Sequence, residues 1–154
     1  MAEFRLTDEA IDVPALRREI ELSGQGAIVT FEGVVRDTFE GRRVVRLEYE
    51  AYPPMATKQM DRLFCEVEER FGVERLLVVH RLGLVPEGEA AIAILAASPH
   101  RREAFGAAAY TIDRIKEILP VWKKEHYEDG EVWVESSGVR RATGPGDAPL
   151  DGAD

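Results

Sequence analysis

The sequence has few of the side chains that metal and redox sites require. Its 154 residues include one cysteine, Cys65, and three histidines. A single cysteine cannot form an internal disulfide, and the scattered positions of His80, His100 and His126 lack the spacing of a metal site. Cys65 also has no neighbouring signature of an activated thiolate. We therefore expect no metal site, and any sulfur chemistry would need sulfur from outside the chain.

Three further absences narrow the class of protein. The sequence contains no phosphate-binding glycine loop and no dinucleotide-binding glycine fingerprint, so we expect no resident cofactor. No apolar run is long enough to cross a membrane, and the N-terminus lacks the pattern of a secretory signal. The net charge of -9 disfavours a nucleic-acid or anionic-membrane surface, because such binding needs clustered basic charge. These features predict a cytoplasmic protein without nucleic-acid or membrane partners.

The composition that is present is that of an ordinary globular protein. Hydrophobic residues make up 45% of the sequence and charged residues 32%, and a chain of 154 residues can bury a core of its own. We predict a single domain over residues 1–136. Residues 137–154 contain too few apolar side chains to pack, which predicts a flexible C-terminal tail.

Hydrophobic periodicity predicts the element order α-β-β-α-β-β-α-β. The first two strands, residues 26–36 and 44–50, are expected to form an antiparallel hairpin. Residues 89–97 are apolar on both faces, which predicts a central strand. The order as a whole predicts the α+β class, with two layers and a mainly antiparallel sheet. The other predicted elements are a helix capped by Asp12, a helix closed by Gly72, strands at 76–81 and 131–136, and a helix that follows His100.

A lysine interrupts the apolar face of the last predicted helix. The face runs from Phe105 to Ile112, and the same spacing then reaches Lys116. Pro120 removes a backbone donor and should end the helix just past that lysine, so the chain turns and can bring Lys123 back toward it. Two ammonium groups in one pocket would form an anion clamp, and either is a candidate general acid or base. The alternative is that Lys116 reaches out to water and Lys123 is a solvated charge after a helix end.

A second basic group lies at the start of the same helix. His100 and Arg101 stand beside free backbone donors, an arrangement that suits a phosphate or a carboxylate. The alternative is a local cap by His100 and an ion pair between Arg101 and an acidic neighbour. Arg36 ends the first predicted strand, where binding residues are common but a solvated arginine is more usual. His80 lies in mid-strand among apolar residues, which predicts a structural role.

Five short segments carry a resemblance to a known family. They are VTFEGVVRD (29–37), Tyr52-Pro53-x-Met55, HRLG (80–83), SPHRREAF (98–105) and KEILPVWKKE (116–125). In this order they resemble the large, catalytic subunit of molybdopterin synthase, over residues 26–135. The combination of HRR, a lysine and P-x-W-K is far more specific than any one segment.

The resemblance implies an activity, a fold and an assembly. Members of the family are sulfurtransferases that convert cyclic pyranopterin monophosphate to molybdopterin, forming its dithiolene during molybdenum cofactor biosynthesis. The sulfur arrives as a thiocarboxylate on the C-terminal Gly-Gly tail of a small ubiquitin-like partner subunit, in agreement with the missing reactive cysteine. The implied fold is an α/β hammerhead with added α+β elements. The implied assembly is a homodimer of large subunits with a small subunit docked at each end, a heterotetramer.

The resemblance also implies roles for particular residues. Lys116 and Lys123 correspond to the catalytic lysines, and Arg36 corresponds to a pocket arginine contributed across the dimer. His100 and Arg101 correspond to a substrate-anion site. Since roughly 22 Å of helix separates that site from Lys116, one pocket can use both only if a substrate, a partner tail or a second subunit spans them. The positions that flank these contacts, also implied in substrate binding, are Val34, Val35, Lys124 and Glu125.

Two other functions remain open from the sequence. A non-catalytic module could use the basic pocket to bind the C-terminal tail of a ubiquitin-like sulfur carrier, with or without sulfur. An enzyme acting on some other phosphorylated heterocycle would turn over without a protein partner. Turnover of the pyranopterin in the presence and absence of thiocarboxylated partner distinguishes the three.

Overall fold

The fold combines three helices and ten strands within residues 1–128, 130–135 and 140–141, the part of the chain that this computed structural model describes. The expected α+β class and the mainly antiparallel pairing are confirmed. No helix in this part is both long and apolar enough to cross a membrane. The helices are α1 (Val13–Ile20), α2 (Pro53–Phe71) and α3 (Arg101–Ile118). The strands are β1 (Ala2–Thr7), β2 (Ala27–Val34), β3 (Thr38–Phe39), β4 (Arg42–Ala51), β5 (Arg75–Arg81), β6 (Gly83–Pro86), β7 (Ala90–Ser98), β8 (Val121–Tyr127), β9 (Gly130–Glu135) and β10 (Arg140–Arg141).

The first sheet has four strands in the order β1-β5-β7-β2. Strand β7 pairs antiparallel with both β5 and β2, so the predicted central position of the doubly apolar strand is confirmed. Strand β1 pairs in parallel with β5 at the edge of the sheet. Sequence patterns do not reveal β1, because the charged Glu3 and Arg5 alternate with apolar residues over only six positions.

Helices cover both faces of this first sheet. Helix α1 begins after the predicted cap Asp12, whose carboxylate accepts a hydrogen bond of 3.1 Å from the N–H of Ala15. Its Leu16 and Ile20 are buried against one face of the sheet. Helices α2 and α3 pack against the other face and enclose the main core. Helix α1 therefore forms a further layer, in addition to the two layers that the sequence predicted.

Close approach and charge hold α2 and α3 together. A Cβ added at Gly106 of α3 would come within 2.6 Å of the Phe71 ring, so the glycine permits this contact. Arg114 donates two hydrogen bonds of 2.9 Å to the carboxylate of Glu66. These bonds lower the pKa of Glu66 to about 2. Helix α2 is closed by Gly72 as predicted, with a φ of 66° in the left-handed region.

The second sheet corrects the predicted hairpin. Strand β4 pairs with β8, β6 and the short β3, whereas β2 belongs to the first sheet. The predicted pairing of residues 26–36 with 44–50 is therefore wrong. The alternation of each strand indicates that one face is buried but does not specify the partner strand. A tight turn at Glu40 and Gly41, both at positive φ, instead pairs β3 with the start of β4.

The buried face of α3 also differs from the predicted one. Phe105, expected to begin the apolar face, is 62% exposed. Small side chains on the buried face let the helix lie close to the first sheet, which leaves Phe105 and Lys116 on exposed positions. The predicted face was wrong because alanines carry little weight in a hydrophobic pattern. The buried residues of α3 are Ala104, Ala107, Ala108, Thr111 and Ile115.

Only part of the predicted C-terminal tail lies within the described residues. Arg140–Arg141 forms β10, which pairs antiparallel with β9. Residues 137–139 and 142–154 lie outside the described part of the chain. The predicted domain of residues 1–136 and the predicted flexibility of the tail stay predictions.

Candidate active site

A cavity of about 720 Å³ lies between the two sheets and the C-terminal end of α3. This volume falls in the range of small-molecule sites. Most of its wall is apolar and comes from both sheets. Three cationic side chains and one carboxylate line it, which favours an anionic ligand although the whole chain has a net charge of -9. The charged residues of the lining are Arg36, Lys116, Lys123 and Glu125.

The end of α3 brings two lysines to this cavity. The helix ends at Ile118, just past Lys116, and the N–H of Leu119 donates a last hydrogen bond of 2.9 Å to the carbonyl of Ile115. Residues 122–124 belong to strand β8, which the sequence did not predict and which starts directly after Pro120. Lys123 is the third residue of that strand, and both lysines line the cavity.

Arg36 reaches the same cavity from the segment that follows β2. Its guanidinium lies 5.4 Å from the centre of the Phe39 ring, a cation–π distance that holds the side chain beside the cavity. Val34, which follows a bulge in β2, also lines the cavity and is half exposed. Val35 is buried and packs with Val44 in the core of the second sheet. Of these three predicted residues, Arg36 and Val34 therefore face the cavity.

Strand alternation separates the remaining predicted residues of β8. Lys123 and Glu125 line the cavity, and the buried Glu125 carboxylate accepts a hydrogen bond of 2.9 Å from the Tyr127 hydroxyl. The ammonium of Lys123 lies 4.0 Å from that carboxylate. Lys124 lies between them on the other face, where its ammonium contacts Glu131 at 3.1 Å. Lys124 is therefore not a lining residue, since neighbours along a strand point to opposite faces.

The basic pair at the start of α3 lies apart from the cavity. His100 is the residue before the helix, and its backbone N–H lies 3.5 Å from the hydroxyl of Ser98. Both His100 and Arg101 are exposed, and neither lines the cavity. Fifteen helical steps from Arg101 to Lys116 correspond to roughly 22 Å. The single chain therefore does not gather its two predicted basic groups in one place.

The lining residues that had not been assigned to the site from the sequence include three with ring side chains: Phe39, Tyr49 and His80. Burial, together with the charge of Glu125, raises the pKa of Tyr49, so its hydroxyl stays protonated. Burial lowers the pKa of His80 to about 4, so its ring is neutral at pH 7. For His80 the available signal was a polar side chain inside an otherwise apolar strand, but the strand pattern alone does not show which face borders a cavity.

The fold and the site together define an α+β protein with a cavity suited to an organic anion. Residues 6–118 match the family described as MoaE protein, and the chain belongs to that family. The resemblance to the large subunit of molybdopterin synthase is thereby confirmed, and the class is that of an enzyme.

Individual relatives agree with this placement. The chain is 44% identical over 134 residues to the molybdopterin synthase catalytic subunit of Bacillus subtilis, which covers 87% of this chain and 85% of that protein. The crystal structure of molybdopterin synthase from Staphylococcus aureus matches with a TM-score of 0.80 and 41% identity, over 86% of this chain and 97% of that one. A complex of subunits 1 and 2 of the molybdopterin-converting factor from Helicobacter pylori shares the fold, with a TM-score of 0.70 at 20% identity over 83% and 87% of the two chains.

Proposed function

We propose that this chain is the catalytic subunit of a molybdopterin synthase, which transfers sulfur to cyclic pyranopterin monophosphate and forms the dithiolene of molybdopterin. The observation that carries the proposal is the convergence of Arg36, Lys116 and Lys123 on one cavity. The chain's one cysteine, Cys65, is exposed on α2 and is not a lining residue. A cationic site without a thiol suits a reaction in which the sulfur is brought by another molecule.

The proposed sulfur donor is a small ubiquitin-like subunit that carries a thiocarboxylate on its C-terminal Gly-Gly tail. A thiocarboxylate is an anion, and the cationic lining attracts it as it attracts the phosphate of the pterin. The two-subunit complex of the Helicobacter pylori relative supports a partner of this kind. Two sulfurs require two donor molecules, so the singly sulfurated intermediate stays in the cavity while the spent partner leaves.

The lysines are the proposed catalytic groups. Lys116 and Lys123 hold the tail of the donor and move protons as each sulfur adds, while Arg36 holds the phosphate. Glu125, 4.0 Å from the ammonium of Lys123, keeps that side chain directed along the wall of the cavity. Placing the two reactants side by side accounts for several kcal/mol of the barrier, on the order of what intramolecular reactions gain. Val34 lines the cavity and belongs to the proposed substrate-binding set, whereas Val35 and Lys124 do not line it, and their predicted binding roles stay predictions.

The exposed pair at the start of α3 is best explained by a homodimer within a heterotetramer. His100 and Arg101 lie too far from the cavity of their own chain to hold its substrate, and we propose that they complete the cavity of a second copy. Arg36 lines the cavity of its own chain, and its contribution across the dimer stays a prediction. We place the assembly in the cytoplasm, where the single free cysteine needs no disulfide partner.

The direct test of the catalytic assignment is Lys116→Ala with purified thiocarboxylated partner and cyclic pyranopterin monophosphate. Dithiolene formation, followed by mass spectrometry, should fall by about 100-fold or more. Lys58→Ala is the matched control, because Lys58 is exposed on α2 and is not a lining residue. Activity near that of wild type in the Lys116 variant would refute the role of this lysine.

The same assay separates the alternatives left open by the sequence. A non-catalytic module would bind the partner equally well with or without sulfur and would convert no pterin. An enzyme for another phosphorylated heterocycle would turn over without the small subunit.

Mixing the Lys116→Ala and Arg101→Ala variants tests the dimer. In each mixed dimer, one cavity would regain both Lys116 from its own chain and Arg101 from the second copy. Two inactive variants that stay inactive after subunit exchange would contradict the proposed sharing.

A further inference from the structure

The ring of His80 has a defined tautomer. Its Nδ1 lies 2.8 Å from the backbone carbonyl oxygen of Arg81. A carbonyl oxygen only accepts hydrogen bonds, so Nδ1 carries a proton and donates it. Because burial lowers the pKa of His80 to about 4, the ring is neutral at pH 7 and has one proton in all. The other nitrogen, Nε2, therefore has a free lone pair and can only accept.

That acceptor belongs to a side chain that lines the cavity. His80 is a lining residue although only 6% of it is exposed. No group in the described part of the chain donates a hydrogen bond to Nε2. Nε2 is also absent from the buried polar atoms that lack a hydrogen-bond partner, so it is accessible to solvent. An acceptor without a protein donor takes its hydrogen bond from water or from a ligand, and a ligand that displaces the water must supply a donor of its own.

The ring is also held in place. Its centre lies 5.0 Å from that of Tyr49, with the two planes at 70°, an edge-to-face contact. Its backbone pairs with Ile92 in the register of β5 and β7, inside the first sheet. A side chain that is fixed on two sides presents its lone pair in one direction. His80 is thus a rigid acceptor rather than a mobile one.

The cations come from other elements of the fold. Arg36 follows β2, Lys116 ends α3, and Lys123 lies on β8. His80 is on β5, which contributes no other residue to the lining. A ligand with an anionic group and a heterocycle that bears N–H groups would satisfy both features at once. The cations would hold the anion, and the neutral acceptor would take an N–H donor.

We propose that Nε2 of His80 accepts a hydrogen bond from a ring N–H or amino group of the heterocyclic substrate and so fixes the orientation of the ring relative to the cations. The inference rests on the proposed function, because a pterin has such donors and its phosphate occupies the cationic side. His80 is then a specificity residue for the heterocycle, separate from the residues that hold the phosphate.

The first test compares substrate binding by wild type and His80→Phe, measured by calorimetry without the sulfur donor. Phenylalanine keeps a ring against Tyr49 but has no acceptor. Loss of one neutral hydrogen bond should weaken the binding of cyclic pyranopterin monophosphate roughly 5-fold. Competition by inorganic phosphate should be unchanged, whereas a general structural defect would weaken both. His126→Phe, on β8 and outside the lining, is the matched control.

A second measurement follows the protonation and hydrogen bonding of His80 directly in the wild-type protein. In wild type labelled with ¹⁵N-histidine, the Nε2 signal should be that of an unprotonated nitrogen and should shift toward that of a hydrogen-bonded one when the pterin is added. Inorganic phosphate alone should leave it unmoved. A signal that is protonated at pH 7, or that ignores the pterin, would overturn the proposal.

Different results would refute the proposed function and the proposed role of His80. Wild type that forms no dithiolene with thiocarboxylated partner refutes the proposed function and this inference with it. Wild type that turns over, combined with a His80→Phe variant that binds the pterin as tightly, refutes only the role of His80.

Discussion

The stability of the fold should depend on pH through one buried side chain, His80. Its pKa is lowered from 6.5 to about 4 because the ring is buried, and the bond from Nδ1 to the Arg81 carbonyl only partly offsets this. Between these two values the unfolded chain binds a proton that the folded chain does not. The unfolding free energy therefore falls as the pH falls through this window and is fully retained above it.

The size of the effect follows from the two pKa values. Each unit of pH within the window costs 1.36 kcal/mol, so wild type should lose about 2 kcal/mol by pH 5 and about 3 kcal/mol by pH 4 through this group. Because only 6% of His80 is exposed, water does not screen the cost. The variant His80→Phe has no group to protonate and should not show this loss.

Urea unfolding at pH 7, 6, 5 and 4, at one fixed protein concentration, measures the effect as the difference between wild type and His80→Phe. Carboxylates titrate in both proteins and cancel in that difference. Val78→Ala, a buried change on the same strand, should lower stability by an amount that does not vary with pH. A difference between wild type and His80→Phe that stays constant from pH 7 to 4 would refute the neutral, buried histidine.

Three further predictions concern the helix pair and the lysines. Glu66→Gln should lower the unfolding free energy by about 1 kcal/mol at pH 7, because a partly exposed pair with Arg114 is lost. In urea unfolding this loss should shrink between pH 4.5 and 2, where unfolded wild type binds a proton at Glu66 that the folded protein does not; a loss independent of pH would contradict it. Gly72→Ala should cost about 1 kcal/mol in thermal unfolding, because alanine is strained at a φ of 66°, and an unchanged melting temperature would argue against the left-handed cap. Lys123→Ala should reduce single-turnover dithiolene formation more than Lys124→Ala does, and the reverse order would exclude the assignment from β8 alternation.

Local features of the fold could be predicted from the sequence because short-range physics determines them. The carboxylate of Asp12 caps the helix that follows it, and Gly72 adopts a conformation that other residues resist. Strand pairing depended on contacts between distant residues, so the hairpin was wrong and β1 was missed. The buried face of α3 was wrong for a related reason, since the sheet selects small residues for close packing and the exposed Phe105 misled the pattern.

The residues of the candidate site also differ in whether local sequence or tertiary structure determines their position. Lys116 and Lys123 could be placed together because a proline ends the helix between them. Arg36 was a candidate only by its position at a strand end. Tyr49 and His80 could not be assigned, because their place at the cavity follows from how two sheets face each other. That arrangement is a tertiary property with no local pattern in the chain.

The position of the cavity between two separate sheets also determines the size of the ligand that the cavity can be engineered to bind. Leu47 of β4 and Ile92 of β7 stand on different sheets and both line the gap. Such apolar residues act as spacers, so their size governs the room available to a ligand while every charged group stays where it is. Substituting one of these spacers with a smaller residue would allow larger heterocycles to bind without weakening the binding of their anionic group. Substrate size and anion affinity are therefore separately adjustable in this fold.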